Sequence, residues 1–564
     1  MDHGRQRFSW SRAAARRDGT RPATALRLLP LIALAAGPAG AQTWVRAVGG
    51  PAFEQAQSVA PAADRGSVVA GLTDSFGAGG RDLLVARLSP CGVSLWQNSY
   101  GGGGDDQAFA AIAIPGGRFL LAGETAGFGG DLDLLLLEID VGGAVSWQTA
   151  LGGGGDERAL AATALQDGGI AVAGSISGGG GTDVWVLRFD AARSLLWQTR
   201  YGGPGDEVPA AIRETPGGGF VVAGTTDSFG AGFLDGWLLQ LDAAGGVEWE
   251  RSYGGATDDG FSDAVVAAGG GFLAVGATDS FGAGLADAWV VRIDARGAIL
   301  WQRVLGGVDD DEALAVVASG TGFGLAGWSR SFGPGDDDGW AAGIDASGAP
   351  LWQLRLGGAG SDALLDLAAR ADGGSILVGV SDSVGAGGAD QWIASLDPAG
   401  ATSAACGMAS PASLPGATAG ATSAATNSTI ESTGAAARSP GWIAQPAAAT
   451  SAAACAATPG EVSPPGAAEP LRFDDGVSLS WESAAMNCAE TFNLYRGGLA
   501  ALPAGDHGTC LSSGLSSPAA DDLDVPSSPG EGFVYLVTAT AEEIEGTAGT
   551  SSDGAVRMPS MPCR

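Results

Sequence analysis

The sequence predicts an all-β chain: a seven-bladed β-propeller closed by its own N-terminal strand, followed by a small β-sandwich. Three observations predict it. Tryptophans recur at Trp44, Trp96, Trp147, Trp197, Trp249, Trp301 and Trp352, spaced 52, 51, 50, 52, 52 and 51 residues apart. One period holds four short apolar runs, Ala108–Ile114, Phe119–Thr125, Leu134–Asp140 and Ala144–Leu151, parted by glycine-rich turns. The last period supplies three runs only, Leu364–Ala369, Ser375–Val380 and Gln391–Asp397, while the chain opens on an unattached fourth, Thr43–Val48.

Runs of this length, rich in Val, Ile, Leu and aromatics and bounded by Gly, Asp and Pro, read as strands joined by tight turns. No stretch inside the period offers a capped helical pattern of adequate length. Four strands per repeat of about fifty residues is the pattern of a propeller blade. The N-terminal run then completes the seventh blade, and closing the ring hides edges that would otherwise pair with another chain.

The piece I-D-x-x-G-x-x-x-W (Ile139–Trp147, Ile293–Trp301, Ile344–Trp352) resembles the tryptophan-docking motif of pyrroloquinoline-quinone-type propellers. The whole unit, with Gly-Gly before paired acids and T-D-S-F-G-A-G-x-x-D-x-W, resembles the secreted bacterial β-propeller repeat proteins across residues 43–400. That resemblance implies the fold; propellers host many functions, so it names none.

Taken in order, residues 1–41 carry seven Arg, the apolar run LLPLIALAAG and then Ala39-Gly40-Ala41, which read as a secretory signal peptide. Residues 42–400 form the propeller. Residues 401–470 are dominated by Ala, Ser, Thr, Pro and Gly and read as a flexible or weakly structured linker. Cys406 and Cys455 bracket it, and a loop-closing disulfide between them is expected in an exported protein. Residues 471–564 hold alternating runs around Trp481, Tyr495 and Tyr535 and resemble a fibronectin type III-like sandwich. Cys510 and Cys563 are the disulfide candidates there, and Cys91, in a turn of blade one, is expected to be left over.

Composition excludes much chemistry. There is no lysine, hence no Schiff base and no P-loop lysine. Of two histidines, His3 leaves with the signal and His507 lies outside the repeats, so no Ser-His-Asp triad or histidine-ligated zinc belongs to the propeller. A formal charge of −33 excludes nucleic acid held through its phosphates. The adjacent-cysteine feature of quinone-dependent alcohol dehydrogenases is absent. No enzyme, no cofactor, no transmembrane segment and a monomer are the expectations, with an unknown glycan or protein as partner.

What remains is carboxylates in register. One set follows each Gly-Gly: Glu54, Asp105/Asp106, Asp156/Glu157, Asp206/Glu207, Asp258/Asp259, Asp310/Asp311 and Asp362. A second set lies between runs two and three: Asp74 and Asp82, Asp227 and Asp235, Asp279 and Asp287, Asp382 and Asp390. In a four-stranded meander both loops emerge at one end, so both sets crowd one face of the disc. Carboxylates spaced by glycine are candidates for calcium, the one cofactor these loops suit. Against that stands ordinary turn chemistry, in which Asp accepts backbone N–H groups. The tryptophans of Asp-x-Trp (Trp185, Trp237, Trp289, Trp340, Trp392) read as inter-blade packing rather than sugar platforms. The expected function is an exported, non-catalytic binding or scaffold protein at the cell surface, in the periplasm or secreted. Two alternatives stand beside it: a carbohydrate-active hydrolase or lyase, which needs an unequal acid pair in the central funnel, and a calcium-stabilised structural protein.

Overall fold

Each period folds as four antiparallel strands because its apolar runs are too short for stable helices and each ends in a residue that reverses the chain. Blade five shows the pattern: Asp259–Val266, Phe272–Thr278, Asp287–Ile293 and Ile299–Leu305. Strands two and three are buried at every position, since neighbouring blades cover both faces. The outer strand alternates between buried and open positions. The computed structural model describes residues 43–402 in full apart from 127–130, 179, 321, 334, 386 and 387, and beyond 402 only the backbones of short strands. The segment 1–41 read as a signal peptide, the sandwich assigned to 471–564 and the side chains of Cys406, Cys455, Cys510 and Cys563 lie outside the described residues. Strands are present there, Thr491–Gly498 pairing with both Thr509–Leu515 and Phe533–Ala541. Among the described residues no helix is long and apolar enough to cross a membrane.

The seven blades close as predicted. Blade seven consists of Asp362–Ala369, Ser375–Ser381 and Asp390–Leu396, and the N-terminal strand Trp44–Gly49 completes it. The register runs antiparallel from Trp44 opposite Ser395 to Val48 opposite Gln391. The core lies between blades rather than at one centre. Val184, Val186 and Tyr201 of blade three pack with Phe220, Val222 and Trp237 of blade four, for example. Trp185, Trp237, Trp289, Trp340 and Trp392 are all buried in such seams, as expected. Each removes on the order of 200 Å² from water.

The I-D-x-x-G-x-x-x-W motif has a physical reading. Asp294 Oδ1 accepts the amides of Arg296 and Ala298, both at 2.8 Å, which folds the turn. Gly297 then has φ +83°, a region side chains avoid. The indole of Trp249, from the preceding blade, lies over that glycine; a Cβ there would come within 3.2 Å of its ring. The same indole donates Nε1–H to the Ala295 carbonyl at 3.1 Å. Blade three departs, placing Arg193 at the positive-φ position and turning its guanidinium onto Glu138.

Ring closure does not remove the outer edges, because every blade still presents one flank of its fourth strand. The stretch read as a linker covers them instead. Short strands at Ala409–Pro411, Gly416–Ala417, Thr422–Ala425, Thr429–Glu431, Ala436–Arg438, Gln445–Pro446 and Thr450–Cys455 pair, in that order, with the outer strands of blades six, five, four, three, two, one and seven. These seven strands therefore form a belt around the disc, met against the order of the blades. Backbone pairing along these short strands blunts each open edge.

Cys91 corrects an expectation: it is disulfide-bonded, not left over. Its turn lies against the closing strand, where Arg46 donates to the carbonyls of Gly92 at 3.0 Å and Cys91 at 3.3 Å. The last belt strand brings the backbone of Cys455 opposite Val45, one residue from Arg46. Non-reducing peptide mapping is expected to recover Cys91 joined to Cys455, a link that would fasten the belt's end to blade one. Recovery of Cys406 joined to Cys455 would overturn that register argument.

Candidate functional site

Two regions carry polar groups beyond those needed for turns: the loop face and the channel on the axis. On the loop face both acidic sets meet, as connectivity required. The amide of Asp106 donates to the Arg81 carbonyl at 2.7 Å, and Arg81 N to Asp105 Oδ1 at 3.0 Å, so the loop between strands two and three locks onto the entry to the next blade.

The carboxylates pair differently from the expected loop partners. Asp82, Asp235, Asp287 and Asp390 are buried, whereas Asp74, Asp227, Asp279 and Asp382 stand at the exposed turn entrances. Each buried aspartate instead faces the acid that opens strand one of the following blade: Asp82 with Asp106, Asp235 with Asp259, Asp287 with Asp311. Asp390 meets Glu54 in the same way across the closing seam, both converging on Gly49. A Cβ on Gly306 would fall 1.9 Å from Asp287 Oδ1 and 2.7 Å from Asp311 Oδ2, which is why Gly-Gly precedes each acid.

Both members act as caps. Asp287 Oδ2 accepts the Ala283 amide at 2.9 Å, and Asp311 Oδ2 accepts that of Gly307 at 2.7 Å. Burial, reinforced by the facing carboxylate, pushes Asp82 and Glu157 up to about 7 and Asp287 to about 6. Asp183 rises to about 6 for the same reason, opposed by its ion pair with Arg200. Of the exposed four, Asp74 bonds Arg81 Nε at 3.2 Å and Asp227 Oδ1 accepts the Asp206 amide at 2.5 Å. Among the described residues no three acidic, His or Cys side chains converge as a metal would require. In blade six Arg330 replaces the exposed aspartate, stacks on Trp328 and pairs with Asp310 and Asp337 at 2.7 Å each. That irregularity is a closed ion-pair cluster.

Three large apolar side chains stand exposed on the loop face. Phe233 (79% exposed) and Leu285 (57%) extend from the loops between strands two and three of blades four and five, and Val308 (73%) from the loop entering blade six. The loops abut: a Cβ on Gly284 would lie 2.5 Å from the Val308 carbonyl. Asp227, Asp279 and Asp309 stand exposed around them.

The channel is where the repeat breaks. Strand one of every blade carries a one-residue register shift, at Gln57, Phe109, Leu160, Ala210, Ser262, Leu314 and Leu365. Such bulges re-aim side chains, and these residues line an axial cavity of about 410 Å³. Blades two and three offer Phe109, Ala110, Leu160 and Ala161; blades one, five and seven substitute Gln57, Ser58, Ser262, Asp263 and Asp366. Asp263 accepts Arg213 Nη2 at 2.7 Å and, across the seam to blade six, the Val316 amide at 2.9 Å. Asp366 Oδ2 accepts the Ser58 hydroxyl at 2.7 Å and the Val59 amide at 3.0 Å across the closing seam. Burial raises Asp366 to about 6. The sequence reading passed over these residues. Aligning the periods at the position four after the strand-one acid would have found Ser58, Asp263 and Asp366 among alanines.

No family model matches the chain, and no curated protein matches it. Among solved structures, Sqt1 from Chaetomium thermophilum bound to the N-terminus of the ribosomal protein L10 shares 13% identity, with 59% of this chain and 84% of that chain covered at a TM-score of 0.37. A Dyadobacter fermentans protein of unknown function shares 13%, covering 64% and 99% at 0.34. A eukaryotic initiation factor shares 11%, covering 67% and 97% at 0.29.

Proposed function

We propose that the protein is an exported, non-catalytic binding or scaffold propeller that meets a protein partner on its loop face. The observation that carries this reading is the exposed set Phe233, Leu285 and Val308 within acidic surroundings. Large apolar side chains left exposed on neighbouring loops of one face favour a binding surface. With Asp227, Asp279 and Asp309 exposed on the same loops, the face selects a partner segment that is apolar and basic. Export rests on the basic, apolar and small-residue order of residues 1–41.

Crosslinking capture in the native host tests it. Partners held by the wild-type chain are expected to be lost by the triple variant Phe233→Ser/Leu285→Ser/Val308→Ser, with its melting temperature unchanged because all three side chains are exposed. Capture indifferent to that variant would sink the reading.

A carbohydrate-active hydrolase or lyase is the second reading, favoured by the two carboxylates that break the repeat in the channel, one paired with Arg213 and one raised to about 6. It ranks second because Asp263 and Asp366 each hold a blade seam through backbone N–H donors, so moving a proton at either would loosen the ring.

A further inference from the structure

The channel residues suit a ligand distinct from anything the loop face would hold. Gln57 is only 8% exposed, lines the lumen, and its Oε1 has no hydrogen-bond partner. Beside it, Ser58 and Val59 donate to Asp366 Oδ2, and the Leu367 amide donates to Oδ1 at 2.8 Å. All three donors are neutral, and no salt bridge to Asp366 occurs among the described residues. Arg213, the cation that lines the cavity, is committed to Asp263 and to the Ile212 carbonyl at 3.0 Å. The polar wall is therefore rich in acceptors and carries a carboxylate with no cationic partner. A buried carboxylate in that position favours a positive charge brought to it. Phe109, Leu160 and Leu365 form apolar wall, and an aromatic face also attracts cations. A volume of about 410 Å³ lies within the range of small-molecule sites.

From this arrangement we infer that the axial channel binds a small organic cation, an alkylammonium group donating to Gln57 Oε1 and Asp366 with its hydrocarbon part against Phe109 and Leu160. Titration calorimetry on the chain from Gln42 onward tests it with n-butylammonium, n-butanol and n-butyrate, which share a tail and differ in charge. Butylammonium is expected to bind roughly ten-fold or more tightly than either of the others. Gln57→Leu, which breaks no seam bond, is expected to weaken the cation several-fold and to leave butanol unchanged. Asp366→Asn should abolish the preference for the cation, and Gln57→Leu keeps the test decisive if that variant fails to fold. Equal binding of butanol and butylammonium, preference for butyrate, or no binding of butylammonium would each overturn the inference. Phe233→Ser/Leu285→Ser/Val308→Ser should bind butylammonium like wild type, which separates this site from the loop face.

Discussion

Replacing Trp44 with alanine is expected to cost about 3–5 kcal/mol of stability, the range for truncating a fully buried aromatic. Trp44 has no exposed surface and donates Nε1–H to the Pro90 carbonyl at 2.8 Å. Its ring packs over Gly92, where a Cβ would come within 2.5 Å. The equivalent Trp301 makes the same kind of bond, to Ala346 at 3.2 Å, but is only half-buried. The position of Trp44 adds a second reason. It lies on the strand that completes blade seven and docks that blade onto the turn of blade one, so its loss weakens the seam that closes the ring. Urea unfolding of Trp44→Ala and Trp301→Ala should show the larger loss for Trp44. A loss at Trp44 no greater than at Trp301 would mean that closure is held elsewhere, by the belt or by Asp366.

Stability is also expected to fall as pH rises from about 4 to about 7, the reverse of ordinary acid denaturation. Folding raises Asp82 and Glu157 to about 7 and Asp287 to about 6, chiefly by burial and then by the facing acid. A carboxyl whose folded pKa lies above its unfolded value binds its proton more tightly in the folded state. Its contribution is fully present below the unfolded value and is lost as pH climbs through the folded one. Each pKa unit corresponds to about 1.4 kcal/mol, so several such groups together contribute a net loss on the order of several kcal/mol. Below the ordinary aspartate range the turn aspartates act in the other direction. Asp294 and Asp167 are held down by backbone amides, and their contribution is lost on acidification. The melting temperature should therefore peak near pH 4 and drop by roughly 5 °C or more toward pH 7.5. Asp82→Asn and Asp287→Asn should flatten that slope, whereas Asp309→Asn, an exposed change of equal charge, should not. A melting temperature that rises from pH 4.5 to 7.5 would falsify the reading of the carboxyl pairs as proton-holding caps.

Much of the fold is legible because its causes are local. The strand runs, the turns built by Asp294 and its equivalents, and the spacing of Trp44 to Trp352 are all set within about fifty residues of chain. The missing fourth strand of blade seven is legible by counting. The acidic face is half legible. Connectivity places Asp74 and Asp82 together at one end of the disc, yet Asp74 turns to Arg81 while Asp82 turns to Asp106 of the next blade. Which carboxylate a given aspartate meets depends on how blades stack, and no spacing within one period records that.

The sequence by itself determined the number of blades, the seam tryptophans and the face on which the acids gather, because repetition forces each period to satisfy the same local chemistry. Tertiary structure alone decided three things. It made the short strands of the Ala/Ser/Thr-rich stretch a belt, since strands of two to six residues with no hydrophobic period form only against an edge already built. It brought the backbone of Cys455 to the closing strand beside the turn of Cys91, a proximity across the whole length of the propeller. And it turned Gln57, Ser58, Asp263 and Asp366 onto one axis, because a one-residue bulge in strand one aims side chains that the alternating pattern would have sent elsewhere.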